Sequence, residues 1–163
     1  MEAPGVAARG PRTYPYLDRR TTRRGFTEML TIAKGFLILN ALAFMAIGIN
    51  TTINPEAAMA ALDLAPTTVT ATNEIRSIYG GMHFSFGAMM LAGALLPALT
   101  RHALWFCAAF LGGLVAGRVS SLLLDGQPND LANFLLVFET AALLLALILQ
   151  HTVRGVPKRG AFA

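Results

Sequence analysis

Apolar residues run along this chain in four blocks, 29–50, 75–96, 103–124 and 131–150, each interrupted by few charges. Each block is close to the roughly 20 residues that carry an α-helix across a hydrocarbon layer about 30 Å thick. Polar punctuation separates them. Pro97 closes the second block, and Asp125-Gly126-Gln127-Pro128 followed by Asn129 and Asp130 turns the chain between the third and fourth. The pattern predicts four helices, the last three in a tight up-down-up series. The one long connection is 51–73, where Asn54-Pro55-Glu56 has the order of a helix start: cap, proline at the first position, acid in the first turn. A short helix opening there, continuing over 57–64, stopped by Pro66 and lying on a membrane surface, is expected, with an ordered loop as the alternative. Residues 1–28 and 152–163 hold little apolar content and read as flexible tails around a transmembrane domain over 29–151.

Composition agrees with the pattern. Of 163 residues 55% are hydrophobic and 13% charged, against roughly 25% charged in an ordinary soluble domain. The fold class expected is all-α, an integral membrane four-helix bundle. Ten of the 13 Lys and Arg lie in the amino-terminal tail (Arg9, Arg12, Arg19, Arg20, Arg23, Arg24), the second loop (Arg101) and the carboxyl tail (Arg154, Lys158, Arg159). The first and third loops carry Glu56, Asp63, Asp125 and Asp130 instead. The positive-inside rule then puts both termini in the cytoplasm, as for a multi-pass protein of the cell (cytoplasmic or inner) membrane. Basic charge flanking apolar spans, with no base-reading module beside it, argues for a lipid bilayer and against nucleic acid as the partner. Thr22-Arg23-Arg24-Gly25-Phe26 resembles a twin-arginine export signal, but the apolar run after it is longer than a signal core of about 7 to 15 residues, so a retained anchor is expected.

The single cysteine, Cys107, and three scattered histidines give no metal-ligand spacing, and no cofactor motif is present in the sequence. Four ionisable residues interrupt the spans: Lys34, His83, Arg118 and Glu139. Lys34 lies near a span end, from which its long stem reaches the headgroups. The other three come from three different helices. At 1.5 Å per residue they lie about 10 to 13 Å from the outer face, which predicts one polar cluster inside the bundle. Steps of three and four extend it outward through Arg76, Tyr79, Gly80, His83 and Gly87 on the second span, and Arg118, Ser121 and Asp125 on the third. The expectation is a cleft open to the outer surface, with Glu74, Arg76 and Asp125 at its mouth and Phe84, Phe86, Phe134 and Phe138 available as walls. A buried Arg118–Glu139 pair that only fixes helix register is the competing reading.

Small residues form two ladders at intervals of four, Ala109-Gly113-Gly117-Ser121 and Ser77-Gly81-Ser85. Such ladders let helix backbones approach closely, so the third span is expected to pack through Gly117 inside the bundle, with a homodimer seam as the alternative.

Glu74-x-Arg76-x-x-Tyr79-Gly80-Gly81-x-His83, Arg118-x-x-Ser121-x-x-x-Asp125-Gly126-x-Pro128 and Glu139 in the last span resemble a widespread bacterial family of small four-span membrane proteins known as a domain of unknown function. The likeness runs from about residue 30 to 150 and leaves the Arg-rich tail unmatched. It implies the four-span architecture and brings no activity with it; the topology is similar to that of DoxX-like proteins.

The functional expectation is an accessory or binding protein whose cleft, built from Glu74, Arg76, Tyr79, His83, Arg118, Ser121, Asp125 and Glu139, takes a small amphiphile, a lipid or isoprenoid group, or a segment of a partner membrane protein. The alternative is a membrane-embedded isomerase, cyclase or hydratase with Glu139 or Asp125 as acid and His83 as base. Proton-coupled transport has less behind it, because four spans show neither broken helices nor inverted repeats.

Overall fold

The computed structural model describes residues 19–153; the arginines at 9 and 12 and the basic carboxyl tail from 154 lie outside the described residues. The described chain is all helical. The elements are α1 (Arg19–Ile53), α2 (Pro55–Ala60), α3 (Val69–Ile75), a π-helical segment (Arg76–Met82), α4 (His83–Leu95), α5 (Thr100–Leu124) and α6 (Asp130–Val153). The segments from Val69 to Leu95 follow one another without a break, so four rods result. All four are long and apolar enough to cross a membrane.

Local chemistry sets the boundaries. The rod containing α4 starts six residues before the expected position because Thr68 caps it, its side chain accepting from Ala71 N at 3.1 Å. It ends where Leu96, just before Pro97, turns extended (φ −105, ψ 104). Asn129 Oδ1 accepts from Ala132 N at 2.9 Å and opens α6. Helix α1 begins at Arg19, inside the segment that the sequence reads as a tail. The expected short helix forms but stops at Ala60, because Asp63 adopts a left-handed conformation (φ 58) and Leu64 N closes the helix end on Met59 O.

The rods run up, down, up and down, so both ends of the described chain lie at one end of the bundle and α2 lies at the other. Helix α1 packs along α4 and the π segment, α5 lies between α4 and α6, and α6 returns to α1. The core is gathered toward the end near the termini: Ala33, Phe36, Leu37, Ala41 and Phe44 on α1, Met90 and Ala94 on α4, Leu104, Cys107, Ala108 and Leu111 on α5, Ala142, Ala146 and Leu149 on α6. Toward α2 the α5–α6 hairpin is open, and no residue from Gly112 to Phe138 is buried. Large apolar side chains such as Leu39, Leu123 and Val137 face outward, as suits a helix surface solvated by lipid.

Close helix contact is made by glycines other than those in the sequence ladders. A Cβ on Gly48 would lie 2.6 Å from Phe84 N and 2.7 Å from Gly80 O, and one on Gly87 would lie 2.7 Å from Ala41 O. These obstacles are backbone, so α1 and α4 approach only because the side chains are missing. The ladder on α5 faces outward: Ala109, Gly113, Gly117 and Ser121 are exposed, and a Cβ on Gly113 or Gly117 would meet nothing within 4 Å. The expectation that this ladder packs inside the bundle is therefore corrected. Ser77, Gly81 and Ser85 are exposed as well.

Candidate functional site

On α5 the buried stripe Leu104, Ala108, Leu111 continues by steps of three and four to Arg118. On α6 the stripe Ala142, Ala146, Leu149 begins one step earlier, at Glu139. A short turn joins the two helices, and Gly126 takes the left-handed conformation it needs (φ 98). The turn brings the two ionisable residues face to face. Arg118 Nε donates to Glu139 Oε2 at 2.7 Å and Nη2 donates to Oε1 at 3.0 Å, a two-pronged ion pair. The Glu139 side chain is 9% exposed, whereas the Arg118 side chain keeps 26% of its surface.

That difference has a chemical consequence. A guanidinium carries five N–H donors, and Glu139 occupies two of them. Arg118 also lines a cleft of about 230 Å³ between α5 and α6, together with Gly117, Ser121, Pro128, Ala132 and Leu136. Its walls are mostly apolar. Ser121 Oγ donates to Asp125 Oδ2 at 2.9 Å, so this carboxylate is engaged by its own helix.

The second-span residues lie elsewhere. Arg76 Nε donates to Thr52 O at 3.1 Å and so satisfies a carbonyl in the last turn of α1, at the negative end of that helix. Gly80 and Gly87, read from the sequence as part of a cleft wall, lie against Thr52 and Ala41 of α1. Glu74 and Tyr79 line a separate depression of about 440 Å³ beside the Asp63–Pro66 loop. The Tyr79 ring stacks on His83 at 5.8 Å, and Phe44 and Phe110 flank the imidazole at 5.7 and 5.9 Å.

His83 makes no hydrogen bond to Arg118 or Glu139 among the described residues. Its Nδ1 lies 3.0 Å from Ile78 O, five residues earlier on the π segment. A carbonyl cannot donate, so Nδ1 is the donor in this contact. The eight expected site residues thus divide into an ion pair with Ser121 and Asp125 on the α5–α6 hairpin, a Glu74–Tyr79–His83 group on the second span, and Arg76 as a helix cap.

Of the proposed walls, Phe86 turns inward against Phe106 and Phe110. Phe84, Phe134 and Phe138 are exposed. The described residues contain no group of three or more His, Cys, Asp or Glu able to hold a metal ion.

One positioning residue escaped the sequence reading. Asn129 Nδ2 donates to Asp63 Oδ2 at 2.7 Å and to Ala61 O at 3.2 Å, tying the loop after α2 to the α5–α6 turn. Asn129 was legible as a cap, but its amide partners are 66 and 68 positions away, and no local spacing encodes them.

A family model described as a domain of unknown function, DUF4345, matches residues 32–150. The chain belongs to this family. The matched region holds the ion pair, the histidine and both depressions, and it begins after the first turns of α1. No curated protein and no solved structure matches the chain.

Proposed function

We propose that this protein is a multi-pass component of the cytoplasmic membrane, with both termini on the cytoplasmic side, that binds a small amphiphile in the α5–α6 cleft. The carrying observation is Arg118: two of its five guanidinium donors are held by Glu139, and the same residue lines a mostly apolar cleft. Spare donors in an apolar medium favour an acceptor from outside the chain. Because Glu139 already balances the charge, the best match is an uncharged acceptor such as an ester, amide or ring carbonyl, with its apolar chain against Ala132 and Leu136. Lipids and isoprenoid compounds carry both parts. Arg118 and Ser121 are the contact residues in this reading, and Glu139 positions Arg118.

The acid/base enzyme reading draws support from His83, a buried imidazole whose Nδ1 is held by the Ile78 carbonyl. The acid role has less behind it, because both Glu139 oxygens accept from Arg118 and Asp125 accepts from Ser121.

Native mass spectrometry from mild detergent tests the binding reading. The expected result is a co-purifying apolar species that Gly117→Leu displaces by filling the cleft, while the protein stays folded. A bound species retained unchanged in that variant would remove the cleft from consideration.

A further inference from the structure

We infer that the seam between α1 and the second rod binds a zwitterionic phospholipid with a primary ammonium, its headgroup beside Glu56 and Arg76 and an acyl chain in the groove below. The site shares no lining residue with the α5–α6 cleft and does not depend on it. Two depressions meet on this seam. A polar one of about 310 Å³ is lined by Asn54, Glu56, Thr72 and Arg76. An apolar one of about 280 Å³ is lined by Gly48, Ile49, Gly81 and Phe84. Ile53 borders both. Thr52 links them too, since it lines the groove while its carbonyl accepts from Arg76 Nε at 3.1 Å.

Their order along the rods is that of a lipid. From Arg76 to Leu95, where the second rod ends, the helix rises about 28 Å, nearly the thickness of a hydrocarbon layer of about 30 Å. Arg76 thus stands where headgroup meets hydrocarbon, and Gly81 and Phe84 lie about 7 and 12 Å deeper, at the level of acyl chains. Gly81 keeps the groove open, for a Cβ there would meet only Arg76 O, at 3.9 Å.

The charges select the headgroup. Glu56 and Arg76 line one depression, yet among the described residues no ion pair joins them. Opposite charges that share a depression without touching suit a ligand that carries both signs. Arg76 has five N–H donors and gives one to Thr52 O; among the described residues no other acceptor takes the rest. A phosphodiester is an acceptor that a guanidinium takes with paired donors. The Glu56 carboxylate matches the N–H donors of a primary ammonium, which a quaternary choline lacks. A purely anionic headgroup would meet Glu56 with like charge. Asn54, whose side chain makes no cap bond to α2, adds a neutral amide beside them.

The test places the full chain in bilayer discs of two parts phosphatidylcholine to one part each of phosphatidylethanolamine and phosphatidylglycerol, followed by mass spectrometry of the lipids retained on mild extraction. The expected result is phosphatidylethanolamine enriched about threefold over its bulk share, the scale of an exposed ion pair. Glu56→Gln should abolish that preference and raise the retained phosphatidylglycerol, because the repelling acid is gone. Arg76→Gln should lose the retained phosphatidylethanolamine. Gly81→Leu should do the same by filling the groove, with both charges in place. Glu74→Gln, an acid of the same rod that lines the neighbouring depression, should change nothing. Undiminished enrichment in a folded Arg76→Gln protein overturns the inference, as does an equal loss with Glu56→Gln and Glu74→Gln, or a parent protein that retains the three lipids in their bulk ratio. If Arg76→Gln unfolds for want of its bond to α1, Glu56→Gln and Gly81→Leu carry the same comparison. In all these variants the species displaced by Gly117→Leu stays bound, so the two readings fail separately.

Discussion

The two helix pairs of this bundle are joined in opposite ways. Along α1 and the rod of the π segment and α4, Gly48 and Gly87 remove side chains so that backbones touch, Gly80 makes room for the Thr52 side chain, and 39% and 33% of the spanning windows are buried. Along α5 and α6 the buried share is 17% in each window, and toward α2 the two helices are bridged by one long-range ion pair. A seam of backbone contact holds its two helices at a fixed short distance. A seam bridged by long charged side chains leaves space beside them, and the α5–α6 cleft lies there. In lipid, where apolar burial between helices brings no gain over lipid contact, close packing and polar pairing are the two available devices. This protein uses one for each pair.

Breaking the ion pair should have the largest effect. Arg118→Met strands Glu139, the more deeply buried partner, and is expected to lower stability in detergent by about 3 to 5 kcal/mol. Glu139→Gln strands Arg118, which keeps 26% of its side-chain surface. Water or headgroups can reach that group, so its cost should be the smaller of the two. The double variant should recover most of the loss. Thermal melts of all three by intrinsic fluorescence check this order, and equal costs would mean that Arg118 is as enclosed as its partner.

Gly48→Ala comes next, because a methyl group there meets backbone on the facing helix. A loss of about 1 to 3 kcal/mol is expected, without change in the Arg118–Glu139 coupling measured by the double variant. Tolerance of alanine would show that α1 and α4 can separate at little cost.

The smallest effect is expected at Gly117, where nothing stands within 4 Å of an added Cβ. Gly117→Leu should stay within about 0.5 kcal/mol of the parent. Ala103→Leu, at a buried position packed against Gly93, should cost about 1 to 3 kcal/mol. This order reverses the one that the α5 ladder predicts from spacing alone. A change in oligomer size with Gly117→Leu would turn the outward ladder into a seam between chains.

The candidate site was partly legible in the sequence. Arg118 and Glu139 stood out because charges are rare in apolar spans, and the short turn between them forces their helices to be neighbours. His83 was singled out for the same reason, but its partner was misjudged. The π segment lets its ring reach the Ile78 carbonyl, and an axial-depth argument that assumes a uniform α-helix has no access to such a local bond. Arg76 looked like the mouth of a cleft and is instead a cap for α1, since its Nε reaches a carbonyl 24 positions earlier.

The sequence by itself determined the four rods, their approximate ends and the identity of the ion pair. Those follow from hydropathy over a turn or two, from proline and cap chemistry, and from the cost of an unpaired charge in an apolar span. The tertiary structure alone decided which glycines carry contact. Gly48 and Gly117 are equivalent in any local window, and they differ only because α4 lies against one and open space against the other. Rotation of each helix about its own axis distinguishes them, and in chains apolar on nearly every side the hydrophobic pattern sets that rotation too weakly to be read.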